Sequence, residues 1–151
     1  MSATLLAGIS RTTEPQTMLR RFLALDALTT GVNGLAYVTA SGPLGRLLGI
    51  DDTLLVGLGA FLALFGAGVG YLATRRQPPR LTVKVVVEAN LLWAVLSIAA
   101  LTLWFEPTTA GAVWIPVQAL TVAGFAVLQW SALRAAATDL GRNSSRHGRV
   151  K

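Results

Sequence analysis

Long apolar runs separated by short polar breaks organise this chain. Four runs come close to, or reach, the roughly 20 apolar residues that cross the hydrocarbon of a bilayer. They cover about 22–40, 54–73, 81–105 and 110–133. An isolated spanning segment must satisfy its own backbone hydrogen bonds, so each run is expected to be a helix. A β-barrel would show alternating segments of about ten residues, and none is visible. The expected fold class is therefore an all-α membrane protein, a bundle of four transmembrane helices.

The breaks agree with that expectation. Ser41-Gly42-Pro43 stops the first helix. Leu44 to Ile50 reads as a short helix lying at the interface, and Asp51-Asp52-Thr53 opens the second long helix with acidic residues suited to a helix N-terminus. Two consecutive prolines in Arg75-Arg76-Gln77-Pro78-Pro79-Arg80 enforce a firm break. The loop Glu106-Pro107-Thr108-Thr109 is so short that the third and fourth long helices must be antiparallel neighbours. Residues 1–18 read as a disordered cytoplasmic leader, 19–137 as the transmembrane domain and 138–151 as a basic tail. No repeat relates the two halves.

Polar residues inside the runs carry the most information. An ionisable side chain near the centre of a span costs about 2.5–3.5 kcal/mol on insertion scales, so Asp26 and Glu88 are both expected to turn away from lipid. Asp26, Thr30, Asn33 and Tyr37 follow the spacing i, i+4, i+7, i+11 and so share one helix face. Gln118 and Gln129 are about three turns apart and share a face with Val122 and Phe125. Asn90 and Ser97 share a face of the third long helix, and Glu88 lies on another side. From the 1.5 Å rise per residue, Asp26 and Gln129 lie roughly 6 Å, and Glu88 roughly 10 Å, from the helix ends nearest the cytoplasm. These positions predict one polar layer on the cytoplasmic side, within reach of Arg20, Arg21 and Lys84 by snorkelling. Two readings of that layer stand: carboxylates paired with Arg or Lys as structural glue, or a site for an ion, a proton or a ligand.

The second long helix is nearly free of polar side chains. Gly59, Ala63 and Ala67 form one small-xxx-small set, and Gly66 and Gly70 form another. Close packing within the monomer is the favoured use of that face, and a dimer contact is the alternative. Trp104, Trp114 and Trp130 sit where an aromatic belt belongs. Trp93 lies deeper, as a packing residue or a pocket wall. Pro116 falls early in the fourth long helix, as a kink or a first-turn residue.

Composition supports the membrane assignment. Of the 151 residues 53% are hydrophobic and 13% charged, about half the charge of a soluble domain. The mean hydropathy is +0.58. A net charge of +6 could suggest nucleic acid, but its placement explains it better. Twelve of the 13 basic residues fall in the N-terminal region, the middle loop with the turn after it, and the C-terminal tail; Arg46 alone falls elsewhere. The positive-inside rule then places both termini and the middle loop in the cytoplasm, with the bacterial inner (cytoplasmic) membrane as the expected location.

Several chemistries are excluded. There is no cysteine, and His147 is the one histidine, so haem ligation, His/Cys metal sites, Ser-His proteolysis and thiol chemistry have no donors in the apolar runs. No P-loop or dinucleotide fingerprint is present. No cofactor, no metal, no nucleic-acid partner and no enzymatic activity are expected. The lipid bilayer is the expected partner, together with a homodimer or larger membrane complex.

The segments Leu19-Arg20-Arg21-Phe22 to Gly34 and Leu58-Gly59 to Arg75 resemble small bacterial integral membrane proteins of the DoxX-like type. Ala89-Asn90-Leu91-Leu92-Trp93 is similar to uncharacterised membrane proteins of high-GC bacteria. These resemblances imply a four-span membrane protein and transfer no site. The steep charge bias argues against small multidrug exporters and fluoride channels, four-span families that often insert in both orientations. Two functions remain from the sequence. The first is a non-enzymatic accessory, assembly or regulatory component of a membrane complex. The second is a small proton- or cation-linked transporter or lipophilic-ligand binder using the polar layer.

Overall fold

The computed structural model of the chain describes the backbone over residues 2–147 and side chains over 14–139 and 141–142. Five helices follow in order: α1 (Ser2–Thr39), α2 (Ser41–Leu48), α3 (Asp52–Thr74), α4 (Arg80–Leu103) and α5 (Thr109–His147). The described residues are all-helical, without strands. The stretch expected as a leader is continuous with α1, and α5 runs through most of the expected tail; Met1 and residues 148–151 lie outside the described residues.

Local chemistry sets the breaks. α1 stops one residue before Ser41-Gly42-Pro43, and Pro43 occupies the first turn of α2, where its missing N–H is harmless. Gly49 ends α2 at φ 72°, the left-handed conformation that glycine adopts freely. Its position also leaves no room: a Cβ there would come 2.6 Å from the Thr108 nitrogen. The Asp51 carboxylate caps α3 by accepting from the Leu54 N–H at 2.9 Å. Thr108 then ties the α4–α5 loop to α2, donating from its N–H to the Leu48 carbonyl at 3.2 Å and from its hydroxyl to the Leu47 carbonyl at 2.5 Å. At the opposite end, Arg20 Nε donates to the Ala73 carbonyl at 3.0 Å and fastens α1 to the last turn of α3.

α1 packs on α3 and on α5, and α4 packs on α5 as the short loop between them requires. The α1–α3 contact is backbone against backbone. A Cβ at Gly34 would lie 2.5 Å from the Ala63 nitrogen and 2.7 Å from the Gly59 carbonyl. One at Gly59 would lie 2.7 Å from the Gly34 carbonyl, and one at Gly66 2.9 Å from the Gly31 nitrogen. Gly70 meets Ala27. The small-residue face of α3 is thus used inside the monomer, against Ala27, Gly31 and Gly34 of α1. α3 and α4 instead meet through side chains, with the rings of Phe61 and Trp93 stacked 5.7 Å apart.

Two apolar clusters fill the interior. One joins Leu19 and Leu23 to Val69, Leu72, Val83, Val87 and Leu133. The other joins Tyr37, Leu48, Leu55, Leu62 and Ile115. The outside is apolar too: Leu64, Leu81, Leu103 and Leu120 are each at least 70% exposed. So much exposed apolar surface cannot be left to water. Three helices, Asp52–Thr74, Arg80–Leu103 and the Thr109–Asp139 part of α5, are long and apolar enough to cross a membrane. α1 is not among them, because its apolar run is diluted by the polar stripe from Asp26 to Tyr37.

Candidate polar centre and ligand cavity

The stripe on α1 faces inward along its length: Asp26, Thr30 and Tyr37 are buried and Asn33 half-buried. It meets polar residues of α4 and α5 in two groups rather than one layer.

The first group centres on Asp26, which is fully buried. Asn90 Nδ2 and Gln129 Nε2 both donate to its Oδ2 at 2.7 Å, and the Thr30 hydroxyl donates to Oδ1 at 3.1 Å. One carboxylate therefore joins α1, α4 and α5. Hydrogen bonds in a poorly solvating interior are electrostatically stronger than the same bonds in water. No cation takes part. Arg20 is engaged with the Ala73 carbonyl, and Lys84 lies over the Trp130 ring. Among the described residues no Arg or Lys forms an ion pair with Asp26. The geometry thus gives neutral amide and hydroxyl donors where the sequence suggested snorkelling basic groups. Gln129 Oε1 is buried and has no hydrogen-bond partner among the described residues.

Glu88 does not join this group. It is exposed on α4 and makes no hydrogen bond or ion pair among the described residues. The expectation that it turns away from the exterior is corrected by helix geometry. Asn90 faces the core to reach Asp26, and a residue two positions earlier is about 200° around the helix. Glu88 must then point outward.

The second group lies further along α1. Asn33 Nδ2 and the Tyr37 hydroxyl donate to Gln118 Oε1 at 3.3 and 3.4 Å, and Trp114 Nε1 donates to the Tyr37 oxygen at 2.7 Å. Trp114 was legible only as a belt residue. Its lateness in the chain relative to Tyr37, a separation of 77 positions, left nothing in the sequence to join them.

These residues form the polar wall of a cavity of about 810 Å³ between α1, α2 and α5. Leu28, Val32, Leu47 and Val117 line it and are exposed, so its mouth opens sideways. A smaller cavity of about 320 Å³ lies between α3 and α4, lined by Phe61, Phe65 and Asn90. Thr30, Leu62, Trp93 and Val122 belong to both walls. Trp93 is therefore both a packing residue and a pocket wall. Thr30, a donor to Asp26, links the buried carboxylate to each cavity. No group of three or more His, Cys, Asp or Glu residues that could hold a metal occurs among the described residues.

Compared with known protein families, with curated proteins and with solved structures, the chain matches none.

Proposed function

We propose that this chain is a four-span protein of the cytoplasmic membrane, with both termini in the cytoplasm, that binds a lipophilic molecule carrying a hydroxyl or carbonyl group. The observation that supports this best is the cavity of about 810 Å³, mostly apolar, with a cluster of polar groups at Asn33, Tyr37, Trp114 and Gln118 and a few threonine hydroxyls in its wall. Cavities of roughly 300–1,000 Å³ with an apolar lining and a few placed polar groups are typical ligand sites. Asn33 Oδ1 and Gln118 Nε2 make no hydrogen bond among the described residues, leaving one acceptor and one donor for a ligand head group. A sideways mouth between exposed leucines and valines admits a molecule from the acyl-chain region. α1 serves as the fourth span because its polar stripe is covered by α4 and α5 and its glycine face by α3.

An accessory role in a larger complex is the second function carried from the sequence. Part of its motivation was the small-residue face of α3. That face is occupied by α1, which shifts the balance towards ligand binding.

Thermal unfolding of the purified protein in detergent, with a panel of long-chain alcohols, ketones and fatty amides, tests the proposal. One class should raise the wild-type midpoint, and neither Gln118→Leu nor the cavity-filling Val117→Trp should respond to it. A panel that leaves the wild type unmoved, or moves all three proteins equally, contradicts it.

A further inference from the structure

A separate cleft of about 440 Å³ lies between the first turns of α4 and the later part of α5, lined by Arg80, Leu81, Lys84, Trp130 and Arg134 among others. Three cationic side chains gather here from two helices. Lys84 Nζ lies 5.8 Å, and the Arg134 guanidinium carbon 4.9 Å, from the centroid of the Trp130 ring. None of the three forms an ion pair among the described residues. Glu88, one turn beyond Lys84, is exposed and unpaired as well. The cleft also holds the start of α4. Its N-cap residue, Pro79, offers no side-chain cap, so the positive end of that helix dipole adds to the field. The Trp130 indole N–H has no acceptor among the described residues.

Like charges held around one ring and in no ion pair repel one another, and a bound anion relieves that repulsion. Cationic side chains, an uncapped helix start and a free indole donor together suit phosphate oxygens. The apolar surroundings narrow the source. Leu81 lines the cleft and is 75% exposed, and both helices are long and apolar enough to cross a membrane. A phosphodiester attached to acyl chains can fill the cleft with its head and cover Leu81 with its chains. Basic pockets between helices at the cytoplasmic face are suited to such head groups.

We infer that this cleft is a phosphate site occupied by the head group of an anionic phospholipid. It rests on the spanning arrangement of α4 and α5 and is independent of the cavity at Gln118.

Native mass spectrometry of the protein from phosphatidylcholine micelles doped with phosphatidylglycerol counts the bound lipid. The wild type should retain phosphatidylglycerol in preference to phosphatidylcholine. A juxtamembrane Lys or Arg is worth about fivefold in binding of anionic lipid, so Lys84→Ala with Arg134→Ala should weaken retention roughly 25-fold. Lys84→Arg with Arg134→Lys should keep it, as should Arg75→Gln, which lies outside the cleft. Circular dichroism of each variant establishes that the helices remain. Equal retention of the two lipids by the wild type, or unchanged retention in a folded double-alanine variant, overturns the site. Inorganic phosphate that stabilises the wild type in pure phosphatidylcholine as strongly as phosphatidylglycerol does overturns the lipid assignment. The spanning arrangement is tested separately with Gln77→Cys, the sole cysteine of that variant. An impermeant maleimide should label it only after intact cells are opened, and labelling from outside defeats the arrangement whatever the lipid count.

Discussion

Asp26 is held by Thr30, Asn90 and Gln129, and each partner comes from a different place in the chain. Removing one amide leaves a buried carboxylate short of a donor. Gln129→Leu should therefore lower stability by about 1–2 kcal/mol, between the ordinary values for charged hydrogen bonds and those measured between membrane helices. Asp26→Asn alone should cost less, because an asparagine can accept from Asn90 and donate to Gln129 Oε1, which has no partner among the described residues. Asp26→Leu and Gln129→Leu together should be less than additive, since each alone removes the same hydrogen bond. Unfolding titrations of the four proteins of that cycle and of Asp26→Asn check both expectations, and full additivity would show that Asp26 and Gln129 do not interact. Residue-level information in the sequence was uneven. The α1 stripe could be read because four positions on one helix are related by simple rotation. The division into two groups could not, because it depends on how α5 slides along α1 to set Gln129 beside Asp26 and Gln118 beside Tyr37. The outward position of Glu88 was implicit in its 200° offset from Asn90, but only once Asn90 is known to face the core.

At the scale of elements, glycine placement sets how closely α1 and α3 approach. Gly34 is the tightest point, with backbone atoms on the facing helix and no flexible side chain to yield. Gly34→Ala should force the two helices apart and lower stability by about 1–3 kcal/mol, the usual range for overpacking. Gly57→Ala, where a Cβ meets nothing within 4 Å, should be neutral or gain up to about 1 kcal/mol from helix propensity. Thermal midpoints of the two variants, measured side by side in one detergent, check the contrast; equal losses would mean that α3 does not pack on α1 in this way. The helix stop at Pro78-Pro79 and the acidic start of α3 at Asp51-Asp52 were legible, because each is a property of a few adjacent residues; the stop at Gly49 falls inside the run read as a short helix from Leu44 to Ile50 and was not. The glycine partners on α1 were less so. Gly31 and Gly34 acquire meaning only when α3 is laid against them.

Over the whole molecule, the arrangement divides into a sealed half and an open half. Towards the loop at Pro78-Pro79, aliphatic side chains from all four long helices close around Leu19 and Leu23. Towards α2, the interior widens into the cavity walled by Asn33, Tyr37, Trp114 and Gln118. Asp26 lies at the boundary and fixes three helices relative to one another, so the polar wall beyond it stays in register. Hydropathy made the long apolar helices legible, and the skewed charge suggested their orientation. A cavity is a packing defect shared among distant segments, and no local pattern encodes it. Photolabelling with a long-chain alcohol bearing a diazirine near its hydroxyl, followed by peptide mapping, tests the proposed ligand site most directly. Label should concentrate on residues 28–37 and 114–122, and excess unlabelled alcohol should abolish it. Label spread evenly over outward-facing positions such as Leu64 and Val95, and indifferent to competitor, would contradict a specific site in the cavity.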